Sequence, residues 1–216
     1  MVADVRLQKA VLAELNWDPS VPAGHIGVTA SGGVVTLTGH TDSYAAKYAA
    51  ERATARVKGV KAIVEQLAVQ LDDGFKRGDE AIAAAIVARL SWDTTIPQDS
   101  VKAQVEEGWI SLRGEVEWQF EREAAETAVR TLAGVVGVIN HVTLKPRVDV
   151  VDLANDIRTA LHRSWFFDGD TIEVSADGGV VRLIGSVDSL HDRKVAEKTA
   201  WAAPGVVEVE NLLDVA

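Results

Sequence analysis

Three copies of one pattern run the length of this chain, and any fold built on that pattern has to be modular. Leu15-Asn16-Trp17-Asp18 with Val21-Pro22 returns 75 residues later as Leu90-Ser91-Trp92-Asp93 with Ile96-Pro97, and Gly39 and Gly59 return at the same spacing as Gly114 and Gly134. A third copy follows 71 residues further on, with Leu161, Gly185 and Gly205 in those places. Self-similarity at a fixed period marks repeated structural units. The 216 residues are therefore expected to divide into three small domains, residues 4–71, 79–146 and 152–216. Units of roughly 65 residues bury only about 60% of the surface their unfolded chains expose. Neighbouring copies are expected to share an interface for that reason.

Within one copy the hydrophobic period changes in a set order. Leu7, Val11 and Leu15, matched by Ile82, Ile86, Leu90 and by Leu153, Ile157, Leu161, form the single apolar stripe of an amphipathic helix. Alternating residues follow: Ile26 and Val28, or Val101, Ala103 and Val105, or Ile172 and Val174. A glycine-containing turn leads to a second strand carrying Val35 and Leu37, Ile110 and Leu112, or Val181 and Leu183. A second helix has a buried face of small residues, Ala49, Ala50, Ala53 and their equivalents. Asp42, Glu117 and Asp188 are expected in its first turn, and Gly59, Gly134 and Gly205 just past its end. A third strand, with Val60, Ile63, Leu67 and Val69 in the first copy, completes the unit. The predicted fold class is α+β: three tandem α-β-β-α-β units, each a three-stranded mixed sheet with two helices on one face. The other sheet face is left open for a partner or a neighbouring repeat.

These residues resemble the BON domain, the bacterial osmotically-induced and nodulation module. The likeness rests on the N-terminal helix, an I-x-V strand, V-x-L-x-G, the alanine-rich helix and a closing G-V-x-x-V-x-N-x-[LV]-x-[LV]. Copy two supplies Gly134-Val135, Val138, Asn140, Val142 and Leu144, and copy three Gly205-Val206, Val209, Asn211, Leu213 and Val215. Copy one departs from it with Glu65 in the asparagine place. The resemblance implies binding without catalysis, in osmotic or envelope stress. It implies an anionic phospholipid surface or a protein as partner, or, as the alternative, a cytoplasmic potassium sensor. A potassium ion held by backbone carbonyls and hydroxyls would leave no side-chain motif.

The residues themselves exclude several chemistries. No cysteine is present, which removes disulfides, thiolate metal sites and a thiol nucleophile. His25, His40, His141, His162 and His191 show no metal-ligand spacing, and no G-x-S-x-G elbow or phosphate-binding G-K-[ST] loop occurs. Neither a catalytic residue, a metal nor a cofactor is expected. Net charge is −10. It is distributed as seven Lys/Arg against six Asp/Glu in residues 4–71, seven against eleven in 79–147, and six against thirteen in 148–216. The acidic total argues against nucleic-acid binding, which needs a basic footprint. No stretch approaches the ~20 apolar residues of a transmembrane span. Met1-Val2-Ala3-Asp4-Val5-Arg6 lacks the features of a signal peptide, so a cytoplasmic protein is expected, or a periplasmic one if a leader precedes this chain.

Two groups of residues are candidates for partner or membrane contact. Trp118 and Phe120 open the second helix of copy two, where copy one has Ser43 and Ala45 and copy three Ser189 and His191, so the shared core needs no aromatic there. Either packing between copies or contact with lipid or protein accounts for them. The second helix of copy one carries Tyr44, Tyr48, Lys47, Arg52 and Arg56, which fit an anionic headgroup surface or else a solvated face with Lys47 paired to Glu51. Trp17 and Trp92 are expected to plug the ends of their own small cores, with contacts between repeats as the other reading.

Overall fold

The computed structural model describes residues 2–145, 152–163 and 172–215. Copy one runs α1 (Val2–Trp17), β1 (Ile26–Ser31), β2 (Val34–Thr41), α2 (Tyr44–Ala55) and β3 (Ala62–Val69). Copy two runs α3 (Asp79–Trp92), β4 (Val101–Glu106), β5 (Trp109–Val116), α4 (Gln119–Arg130) and β6 (Gly137–Leu144). Copy three repeats the order with α5 (Leu153–His162), β7 (Ile172–Asp177), β8 (Val180–Val187), α6 (Leu190–Trp201) and β9 (Glu208–Val215). The protein is thus α+β, three α-β-β-α-β units in series.

Each sheet has the hairpin's second strand at its centre, antiparallel to the first strand and parallel to the third. The parallel pairing follows from the helical crossover, which returns the chain in the same direction. Both helices lie on one face. Val35 and Leu37, Ile110 and Leu112, and Val181 and Leu183 point from the central strands into that layer and are fully buried. The predicted stripes meet them: Val11 and Leu15, Ile82 and Ile86, and Ile157 belong to the same three cores. Ala50, Ala125 and Ala196, completely buried, let the second helix lie close to the strands. The opposite sheet faces stay open, with Val34, Val64, Ile139, Ile184 and Leu212 exposed. Repeats therefore do not pack on one another through their sheets.

The termini of the second helix differ from the sequence expectation. Ser43 and Ser189 are the N-caps, accepting hydrogen bonds from the amides of Ala46 and Asp192, so Asp42 and Asp188 lie outside the helix. A serine hydroxyl placed one residue before the first turn takes the orphan amide directly. Copy two has Trp118 in that place, which cannot accept, and the buried carboxylate of Glu121 reaches back instead to the amides of Glu117 (2.8 Å) and Trp118 (3.1 Å). Gly59 is not the residue just past the helix either. α2 ends at Ala55 with Arg56 as C-cap, and Gly59 belongs to the turn that leads into β3.

The asparagine of the closing strand ties the two layers together. Asn140 Nδ2 donates to the carbonyl of Arg122 (3.0 Å) and to Glu126 (3.3 Å), while Arg122 returns a bond to the Asn140 carbonyl (3.3 Å). Asn211 does the same with Arg193 and Glu197. Copy one substitutes an ion pair, Lys47 to Glu65 at 2.9 Å, with Lys47 also donating to the Leu67 carbonyl. Glu65 in the asparagine place is thus a change of bond type at the equivalent junction between α2 and β3. Its consequence is that Glu51, the counterpart of Glu126 and Glu197, is released from that junction.

Candidate binding site at the junction of the repeats

The second helices bring the three copies together, and they do so in a ring. Tyr44, Gln119 and Leu190 hold the same place, the first residue of α2, α4 and α6. Tyr44 packs against the core of copy two, and Leu190 against the core of copy one. Burial pushes the Tyr44 phenol pKa upward, and a hydrogen bond with the Val138 backbone anchors it in copy two. The Arg130 guanidinium of copy two lies over the Tyr48 ring at 3.4 Å from its centroid, a cation–π contact. Copy three reaches copy one through Lys58–Asp188 (3.1 Å) and Lys194–Glu51 (3.5 Å), so the glutamate freed in copy one is reused at an interface. Copy two meets copy three through Lys198–Glu123 (3.1 Å).

At this last junction the ring leaves a groove open. Gln119 stands where the other junctions have Tyr44 and Leu190, and beside it is a mainly apolar groove of about 240 Å³ walled by Trp118, Phe120 and Trp201. Lys198 and Glu123 form its polar rim. Trp118 and Phe120 stack with centroids 6.2 Å apart, and Phe120 remains 55% exposed. The groove adjoins a second cavity of about 350 Å³ on the axis where α2, α4 and α6 converge. Tyr48, Arg52, Arg122, Arg130, Lys194 and Lys198 are among its walls.

The structure separates the basic residues of copy one that the sequence grouped together. Lys47 is paired with Glu65, not with Glu51 as its helix spacing predicts. Arg56 is clamped between Glu14 (2.8 Å) and Asp18 (2.9 Å), tying α2 to the end of α1. Arg52 alone of the three keeps no carboxylate partner among the described residues; its guanidinium carbon sits 6.0 Å from the Tyr48 centroid. The Arg56 clamp has a measurable titration. The hydroxyl of Ser20, then Arg56, hold the Asp18 pKa down from 3.8 to about 2. A depressed carboxylate contributes stability that is complete above the unfolded value and lost as pH falls through the folded one. Asp18→Asn should therefore flatten the acid limb of the stability curve between about pH 3.8 and pH 2. Urea titrations of both proteins across that window check it; parallel curves would mean that the clamp contributes nothing.

Trp17 and Trp92 are not core plugs. They are 84% and 83% exposed, at the last residues of α1 and α3. The Trp165-Phe166-Phe167 segment of copy three lies outside the described residues. A feature that sequence reasoning missed lies beside Trp92. Copies one and three bond their first helix to the edge strand through Gln8 to the Val28 carbonyl (2.7 Å) and Arg158 to the Val174 carbonyl (3.3 Å). Copy two has Ala83 and Val87 at the matching positions, and a groove of about 670 Å³ opens between α3 and β4. Among the described residues no cluster of His, Cys, Asp or Glu could hold a metal ion, and no helix is long and apolar enough to cross a membrane.

Comparison with known proteins adds a family. The model of the BON domain matches residues 3–70, 78–146 and 149–216. The Escherichia coli K12 protein named osmotically-inducible protein Y is 29% identical over 146 residues, which is 66% of this chain and 73% of that protein. Two solved structures of CdsD, a structural protein of the type III secretion system of Chlamydia trachomatis, align at 17% and 14% identity. Each covers 96% of this chain, and 91% and 96% of the respective solved chains, the second being a C-terminal domain, with TM-scores of 0.26 and 0.27. At those scores neither alignment bears on fold or function.

Proposed function

We propose, from the premise that this chain belongs to the BON domain family in all three of its repeats, that it is a non-enzymatic scaffold of the osmotic or envelope stress response. In this reading it captures a protein partner in the groove of Trp118, Phe120 and Trp201. The likeness to an osmotically-inducible protein supports the physiological setting. The observation that carries the binding reading is the groove itself, an apolar concavity with a charged rim at the junction where Gln119 takes the place held by Tyr44 and Leu190. A concave slot of this size takes one or two apolar side chains of a partner, the anchoring arrangement of protein interfaces.

A flat anionic membrane is the poorer fit. Lys47 and Arg56 of the basic helix are neutralised by Glu65, Glu14 and Asp18. The acidic third copy stands on the other side of the groove, where it would repel anionic headgroups.

The test is complementation under osmotic upshift. A strain lacking the gene should grow slowly at high osmolarity and recover with the wild-type protein. It should not recover with Phe120→Asp, a change at an exposed residue that leaves the melting temperature in place. Full rescue by Phe120→Asp would overturn the reading. So would failure of Val87→Asp alone, which would move the interface to the α3–β4 groove. Sedimentation with phosphatidylglycerol vesicles at low salt should leave the protein in the supernatant; binding there that Phe120→Asp abolishes would replace the protein partner with lipid.

A further inference from the structure

The cavity on the ring axis has a charge balance opposite to that of the chain. Five cations, Arg52, Arg122, Arg130, Lys194 and Lys198, face three carboxylates, Glu123, Glu126 and Glu197, in a protein whose net charge is −10. Each carboxylate is already answered from within the protein. Glu126 accepts from Arg130 (2.7 Å) and Asn140, Glu197 from Asn211 (3.2 Å), and Glu123 from Lys198 (3.1 Å) and Gln119 (3.4 Å). The cations are not all answered in turn. Among the described residues Arg122 is held only by the Asn140 carbonyl, and Arg52 only faces the Tyr48 ring.

Two buried polar atoms among the described residues lack a hydrogen-bond partner, and both belong to side chains that line this cavity. Arg130 Nε is a donor without an acceptor, and Gln119 Oε1 an acceptor without a donor. Burying such atoms unpaired is unfavourable, so a group that answers them gains by doing so. The Arg130 guanidinium is meanwhile fixed in orientation by Tyr48 on its face and Glu126 at its Nη2. A prearranged guanidinium fork matches a phosphoryl oxygen pair better than a mobile ammonium does.

We infer that the axial cavity, at about 350 Å³, is a binding site for a small phosphate-bearing anion, held by Arg52, Lys194 and Lys198 at its mouth and by Arg122 and Arg130 deeper in. The volume lies within the range of small-molecule sites. The site exists only in the assembled ring, because its cations come from α2, α4 and α6 together. Occupancy would thus tighten the packing of all three copies. The same charge count disfavours a potassium ion at this place.

Isothermal titration of the full chain with inorganic pyrophosphate, at constant ionic strength, tests the site. One saturable event is expected, weakened about tenfold or more by Arg52→Gln combined with Lys194→Gln, and a rise in melting temperature with pyrophosphate that follows mass action. Lys102→Gln, at an exposed cation of β4 that does not line the axial cavity, should leave the affinity unchanged. A parallel titration with ATP separates the sources: tighter binding than pyrophosphate assigns an organic phosphate whose own donors reach Gln119 Oε1, and equal binding assigns the phosphate groups alone. No saturable heat with either probe up to millimolar concentration overturns the inference. Equal weakening by Lys102→Gln does so too, since it would reveal diffuse screening in place of a site.

Discussion

Gly39→Ala should unfold the first copy at room temperature or leave it barely folded. Gly39 has φ +112°, and a Cβ built there would sit 2.1 Å from the carbonyl oxygen of His25. That oxygen is backbone, in the segment that enters β1, so it cannot swing aside as a side chain would. Strain of this kind, a positive φ together with a backbone clash, costs upward of about 3 kcal/mol. A unit of some 65 residues has little more than that to lose. Gly114 provides an independent replicate in copy two: its φ is +147°, and the added carbon would lie 2.0 Å from the Ser100 carbonyl oxygen. Urea denaturation followed by circular dichroism measures both. A loss below about 1 kcal/mol at either position would show that the strand entry can yield, against the geometry described.

Leu112→Ala is the second large effect. The side chain is fully buried at the middle of β5, and the core it belongs to is also the seat of Tyr44 from copy one. Removing a buried leucine costs about 2–5 kcal/mol, according to how far the surroundings collapse. Calorimetry should show copy two melting earlier, with Tyr44 set free in the same transition. Trp92→Ala is the contrast. It removes a larger side chain from the same copy, yet at 83% exposure it should change stability by no more than about 0.5 kcal/mol. Comparable losses from the two substitutions would mean that Trp92 is buried in solution, by a second molecule or by a movement of α3.

The order α-β-β-α-β was readable because the residues that set it are the ones all three copies share. The stripe of Leu7, Val11 and Leu15, the alternation of Val35 and Leu37 and the alanines of the second helix recur because every copy solves the same packing problem. The exposure of Trp17 and Trp92 was also encoded, though in a less obvious place. Copy three has Arg163 there, and a position that accepts arginine in one copy is a solvent position in the others. The helix caps were missed by one residue because an acid beside a serine draws attention away from the hydroxyl that makes the bond. The interfaces between copies were legible only in part: Trp118 and Phe120 were marked for contact, and Tyr44 for a different one, while the equivalence of the three interface positions stayed hidden for a physical reason. Tyr44, Gln119 and Leu190 do one geometric job with three chemistries, so no pattern marks them until the copies are placed side by side.

Threading the ring on a single polypeptide has a consequence for what its centre can recognise. A homotrimer presents three identical walls to anything on its axis, so a ligand without matching symmetry meets each wall equally badly. Here Arg130 stands where copy three has Trp201 and copy one Ala55, and each wall has been free to mutate alone. The tethers also make assembly independent of dilution, since the second and third units are never far from the first. A lopsided molecule can therefore be held in one orientation at concentrations where three separate subunits would have drifted apart.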